Sequence, residues 1–372
     1  MTNQAAPEMA LGSSDMVDDP CHRFAEFSPH SWRGLAETGV FEVFNTPNGT
    51  DSAGMKNAIH QMRRLGQENP DRGLSFSAVT QLASTIYCLR AFGSEELQAR
   101  YLPAAECGAA IGGHAITEEE AGSDVMNMTT TATLKGDHYL LQGAKKFITN
   151  APIASTLIIY AKLVGGPNAG ALSAFLVETA WPGVKITSTM PTSGLRSSPL
   201  GEVALQDVVV PQSHRIGYEG AGMLILDQVM KREILLAFAA NIGEMERSIA
   251  SSVDYVNSRQ QFGATIGSNQ LVANKLVDSQ IGVELGKALL ESIAEKIDGF
   301  DDITIPVAAA KVFISQQHIQ TALNAIQVRG GRGYLSTEPF VQDLVDAVPT
   351  TIYSGSNDVL RSKIATIMGV KL

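Results

Sequence analysis

The 372-residue sequence predicts a mostly α-helical protein with a β domain set into its middle. Three observations carry that reading. Residues 23–110 keep a helical pattern from SPHSWRGLAETGV to SEELQARYLPAAECG. Residues 111–216 break into short β-rich runs parted by Gly, Pro, Asn and Asp. From 217 to 372 long amphipathic stretches return, at about 220–257, 268–298 and 303–329, with shorter ones near 337–347 and 355–368. The chain shows no internal repeat.

Each segment has its own reason. Residues 1–22 open MTNQAAPEMALGSSDMVDDP, polar and acidic, and read as a flexible tail. They lack the basic-then-apolar plan of a signal peptide. In GSEELQARYL, Ser94 stands where an N-cap belongs, with glutamates in the turn that follows. The runs HYLLQGAKKFITN, STLIIYAKLV, ALSAFLVE, VKITST and GEVALQDVVVP follow one another without helical periods between them. That spacing argues for an antiparallel sheet or small barrel rather than βαβ units. Near the C-terminus, TTIY reads as an apolar β-type run, SGSN as a turn, and DVLRS as the start of a helix.

Composition narrows the function. Hydrophobic residues at 44% and charged residues at 18% describe a globular chain with a large core. The net charge of −10, without a Lys/Arg cluster, argues against nucleic acid and against anionic lipid. No apolar run approaches the ~18–20 residues of a membrane span. Cys21, Cys88 and Cys107 form neither a metal spacing nor an even disulfide framework, which fits a reducing cytoplasm. The seven His lack HxxxH or HExxH spacing, so no built metal site is expected.

Several loops carry chemistry. GGHAITEEEAGSDVMNM offers the Thr117 and Ser123 hydroxyls and backbone amides around Gly122, a set able to bond the polar edge of a planar cofactor. GAKKFITNAP places Phe147 and Thr149 on one face of a strand. In SRQQFGATIGSNQ, Arg259 suits a phosphate and Phe262 an adenine ring. QVRGGRGYL sets Gln327 before the close-approach glycines Gly330 and Gly331, whose amides suit an anion or a sugar. Neither a Rossmann GxGxxG nor a P-loop is present.

In this order the stretches TEEEAGSD, QGAKKFITN, GLRSSPLGEV, RQQFG, QVRGGRGY and IYSGSNDVL resemble the acyl-CoA dehydrogenase family from about residue 30 onward. The resemblance implies an N-terminal helical domain, a middle β-barrel and a C-terminal four-helix bundle that binds FAD. It implies that Thr117, Ser123, Phe147 and Thr149 contact the flavin. Arg259, Phe262, Gln327, Gly330 and Gly331 would hold the FAD of a neighbouring subunit, and Ser356 and Asp358 would lie near the adenosine side. A site completed across subunits implies a homodimer or homotetramer. Met230, Ile234, Tyr353 and Gly355 fall at substrate-lining positions.

The family's reaction takes the α-proton of an acyl thioester with a carboxylate while the β-hydride moves to flavin N5. The glutamate that usually performs it, in an IYEGT turn, is replaced here by Ser354. Isovaleryl- and long-chain-type members carry the base on the helix before RxxFG, and that position here is Glu233. The residues give an independent reason. On a helix the i±3 and i±4 neighbours of Glu233 are Val229, Met230, Leu236 and Ala237, an apolar stripe with no partner for a carboxylate. Burial without a partner raises a carboxyl pKa and makes a better base. The backbone N–H of Ser354 is left to polarise the thioester carbonyl together with a flavin ribityl hydroxyl. Ile234 stands where the family has an arginine that helps hold CoA, which leaves room for an acyl carrier protein as carrier. Electrons would leave to an electron-transferring flavoprotein or to O2. A monooxygenase of the same fold and a non-catalytic flavin-binding member are the competing readings.

Overall fold

A computed structural model describes residues 26–45, 49–298 and 302–371. The tail expected over 1–22, and Cys21 with it, lie outside the described residues. The first helices are Pro29–Glu37 (α1), Ser52–Glu68 (α2), Arg72–Thr80 (α3), Cys88–Phe92 (α4) and Glu95–Glu106 (α5). Four of them begin on the side-chain caps that their sequences supply. Ser28, Asp51, Asp71 and Ser94 accept hydrogen bonds from the backbone N–H of Ser31, Gly54, Leu74 and Leu97. Between α3 and α4, Gln81–Tyr87 winds as a π-helix in unbroken αR conformation, so 72–92 is one rod. Wide helical turns of this kind recur at functional sites.

Eight strands follow: Gly112–Ala115 (β1), Thr131–Lys135 (β2), His138–Thr149 (β3), Thr156–Val164 (β4), Leu172–Glu178 (β5), Val184–Met190 (β6), Leu200–Pro211 (β7) and Arg215–Ile216 (β8). They form one sheet in the order β6-β7-β3-β2-β4-β5-β8, with β1 beside β4. Two features differ from expectation. The pairings β1–β4 and β2–β4 are parallel, because the chain returns to β4 after a long excursion rather than a tight turn. The ladder ends at β6 and β8, which do not pair with each other, so hydrogen bonds do not close a barrel. β4 is buried on both faces. Leu157, Ile159 and Ala161 join the core of the sheet, whereas Ile158 and Tyr160 pack into the helical core.

The C-terminal region opens with Gly222–Ser258 (α6), a 37-residue helix. A hairpin of Gln260–Gln261 (β9) and Ala264–Thr265 (β10) joins it to Gln270–Glu295 (α7). Then come Thr304–Arg329 (α8), Phe340–Ala347 (α9) and Asn357–Ile367 (α10). α6 runs through the centre of the molecule, and every residue from Arg232 to Met245 on it is buried. It meets α2 backbone to backbone. A Cβ on Gly66 would fall 1.9 Å from the Ala240 oxygen, and one on Gly243 would fall 1.9 Å from the Arg63 oxygen. Only glycine fits at those two crossings. The β-type run expected at TTIY is a 3₁₀ turn over Val348–Thr351. Pro349 sits in its first turn, where its fixed φ favours the turn and its missing N–H weakens any ladder.

Candidate active site

Glu233 lies in the middle of α6 and is 9% exposed. Two hydroxyls from distant segments meet its carboxylate. Ser354 Oγ donates to Oε1 at 2.5 Å, and Ser84 Oγ, from the π-helical turn, donates to Oε2 at 3.2 Å. Burial raises the Glu233 pKa, and the hydrogen bonds from Ser354 and Ser84 pull it back only in part. Its charged neighbours in sequence are engaged elsewhere. Lys231 pairs with Asp227 at 2.6 Å, while Arg232 bonds Gln228 at 2.5 Å and lies over the Tyr87 ring. The side chain is therefore a lone carboxylate in an apolar wall, touched by two donors.

Ser354 does more than vacate space. It sits at φ +53, followed by Gly355 at φ +86, a left-handed pair that a non-glycine residue enters at a cost. Its N–H donates to no acceptor among the described residues. One residue thus presents a hydroxyl to Glu233 and carries an amide with no partner among the described residues. Tyr353 precedes it, with its hydroxyl accepting from Asn241 Nδ2 at 3.1 Å. Met230 is half-buried one turn before Glu233. Ile234 is 4% exposed and packed in the core. Removing the nearer hydroxyl leaves the buried carboxylate less stabilised. Ser354→Ala should therefore shift the acid limb of the pH–rate profile upward by about 1–2 units, taking ~1.5–3 kcal/mol for a hydrogen bond to a charged group. An unchanged limb would mean that Ser354 does not tune the base.

A second cluster fits a planar cofactor. Lys146 N donates to the Thr117 oxygen at 2.8 Å, so the loop after β1 lies against the end of β3. Phe147 sits in a β-bulge at φ +58 and turns its ring outward, 53% exposed. The Thr117 and Thr149 hydroxyls and the N–H groups of Gly122 and Ser123 have no partners among the described residues. A flat ring with a polar edge matches that set of an exposed aromatic and unused donors, and FAD is such a group. Glu118 anchors the loop from below. It accepts from the backbone and hydroxyls of Thr129 and Thr130, and from the buried Lys145 Nζ at 2.9 Å. Burial works against the Glu118 charge, yet these bonds hold its pKa down at about 2. Glu119, which stands in a proline position of the resembled motif, pairs with Lys146.

The remaining expected residues stand apart from this cluster. Phe262 projects from the β9–β10 hairpin at φ +54, fully exposed, and Arg259 beside it is exposed as well. Gln327, Gly330 and Gly331 are exposed, and a Cβ on either glycine would meet nothing within 4 Å. The Ser356 hydroxyl is taken up locally. It caps α10 by accepting from the Val359 N–H at 3.3 Å, and Asp358 lies in that first turn. Ser84 is a residue of this candidate site that sequence reasoning missed. Its one readable signal was a run of hydroxyl residues, Ser75, Ser77, Thr80, Ser84 and Thr85, on an otherwise apolar rod.

Comparison with known proteins gives the family. Residues 113–208 match the acyl-CoA dehydrogenase middle domain and 220–369 its C-terminal domain. An L-prolyl-[peptidyl-carrier protein] dehydrogenase of Serratia sp. is 37% identical over 348 residues, covering 92% of this chain and 89% of that protein. The crystal structure of the prolyl acyl carrier protein oxidase AnaB matches with a TM-score of 0.88 at 32% identity, over 95% of this chain and 94% of that one. The structure of PigA with FAD and proline matches at 0.86 and 34%, over 95% and 92% of the two chains.

Proposed function

Since the chain belongs to the acyl-CoA dehydrogenase family, we propose that it oxidises an L-prolyl group held as a thioester on a carrier protein, with Glu233 as the base. The chain is an FAD-dependent oxidoreductase that dehydrogenates acyl thioesters of CoA or a carrier protein. The prolyl group and its carrier are the reading that these relatives support. The observation that carries the base is the lone buried carboxylate of Glu233 beside the unused N–H of Ser354.

The residues divide the work. The Ser354 N–H takes the thioester carbonyl oxygen and acidifies the α-carbon. Ser84 and Ser354 hold the carboxylate by both oxygens, which fixes the direction from which Glu233 removes the α-proton. The electron pair of the broken Cα–H bond forms the Cα=Cβ bond as hydride leaves Cβ. FAD, when bound, supplies the acceptor for that hydride. Thr117, Ser123, Phe147 and Thr149 would hold its ring system. The raised pKa brings Glu233 closer to the α-carbon in proton affinity. Electrons then pass to a flavoprotein or to O2.

Ile234 supports carrier protein over free CoA, because a packed aliphatic stands at the position of a CoA-holding cation. An assembly of at least two copies is supported by the exposed Arg259, Phe262, Gln327, Gly330 and Gly331, and by the apolar row Val277, Ile281 and Leu285 on the outer face of α7. Sedimentation mass reports on it, and a monomer that binds FAD tightly would contradict it. No helix among the described residues is long and apolar enough to cross a membrane. The substrate test is mass spectrometry of prolyl-carrier and acyl-CoA panels after incubation with the FAD-loaded enzyme. Loss of hydrogens from the prolyl-carrier species is expected. Oxidation confined to CoA thioesters would contradict the carrier.

A further inference from the structure

We propose that the stacked rings of Phe76 and Tyr353 form the floor of the acyl pocket, and that Phe76 sets the longest acyl group the enzyme accepts. This rests on the reading of Glu233 as the base. Every residue from Asp71 to Leu89 is buried except Phe76, which is half-buried. Its ring lies 4.4 Å from that of Tyr353 at an interplanar angle of 31°, and Tyr353 in turn lies 5.9 Å from Phe238. The Asn241 bond holds Tyr353 in place.

The helices give the depth. Glu233 and Asn241 are two turns apart on α6, roughly 12 Å. Ser84, which touches Glu233, and Phe76 are likewise two turns apart on the facing rod. The aromatic pair therefore bridges the two helices two turns from the base. Between the levels on these helices lie the small residues Thr80, Ala83 and Ala237. Subtracting a carbon contact of about 3.5–4 Å at each end leaves roughly 4–5 Å. A five-membered ring or a short branched group fits that depth, and an extended octanoyl chain does not. Phe76, Tyr353 and Ala237 line a cavity of about 10 Å³, room for one water, together with Arg72, Glu244 and Asp346 at its back wall. Arg72 lies 3.5 Å from Glu244 and 3.2 Å from Asp343, so the back wall is ionic and does not welcome hydrocarbon.

Phe76→Ala and Phe76→Leu, both FAD-loaded, test this with prolyl, butanoyl and octanoyl thioesters. Two readouts apply: anaerobic flavin bleaching, and calorimetric binding of the unreactive thioether analogues. Wild type should bleach with prolyl or butanoyl and poorly with octanoyl. Phe76→Ala should raise the octanoyl-to-butanoyl ratio at least tenfold in both readouts, with Phe76→Leu intermediate. If Phe76→Ala does not fold, Phe76→Leu decides. A wild-type ratio in the folded variant would overturn the floor. A wild type inactive on prolyl but active on butanoyl would sink the prolyl substrate instead, and the butanoyl–octanoyl comparison would still test the floor.

Discussion

The Glu233→Gln enzyme is expected to fold, to bind FAD, and to bleach its flavin with an acyl thioester about 10²–10⁴-fold more slowly than wild type, the usual range for loss of a positioned acid or base. Glutamine keeps the shape of the side chain and still meets the Ser354 and Ser84 hydroxyls, but it cannot take up a proton. The stability consequence has the opposite sign. A carboxyl whose folded pKa is raised stabilises the fold below its unfolded pKa, and that contribution is lost as pH rises through the folded value. At neutral pH the wild type bears that cost and Glu233→Gln does not, so the variant should melt no lower than wild type. Stopped-flow absorbance of the flavin and a thermal scan measure the two effects. Undiminished bleaching in the variant would remove Glu233 from the reaction.

Lys145→Met should cost about 3–5 kcal/mol, the scale for removing one partner of a buried ion pair. Lys145 is 1% exposed, with Glu118 at 2.9 Å, and burial pulls the lysine pKa down to about 8 against the pull of that partner. Glu118 left alone would keep its threonine donors but lose its counter-charge. Equilibrium urea unfolding of the middle-domain signal should show an earlier midpoint, and Glu118→Gln added to Lys145→Met should recover part of the loss. The Glu118 stabilisation is present above its unfolded pKa of roughly 4.3 and is lost as pH falls toward about 2. Because Glu118 anchors the Thr117 loop, the single variant should also bind FAD less tightly. An unchanged midpoint would mean that the pair adds nothing to the fold.

Much of the expected site rested on the ordered motifs of the resemblance. For Glu233 the apolar helical neighbours added an independent reason, a property of residues three and four apart on one element. The long helices and the turn-separated strands were legible for the same reason, since 3.6- and 2-residue periods are local. What escaped depends on contacts between distant segments. Ser84 meets Glu233 across 149 positions, and the run of hydroxyl residues around it does not point to that partner. The parallel pairings to β4 and the open sheet are equally non-local. Ser356 also carried a local signal: a serine before Asn-Asp-Val at a helix start is an N-cap, and its hydroxyl caps α10. At Ser354 the missing glutamate was visible. Its partnership with the replacement base was not, because the two come together only in the fold.

Proton removal can be isolated from hydride transfer with a thioester that has no hydrogen on Cβ, such as the 3,3-dimethylbutanoyl compound. NMR in D2O then follows exchange at the α-carbon alone. Wild type should exchange the α-hydrogen for deuterium, and Glu233→Gln, with FAD bound, should do so at the rate of the free thioester. Equal exchange by the two enzymes would place the base elsewhere.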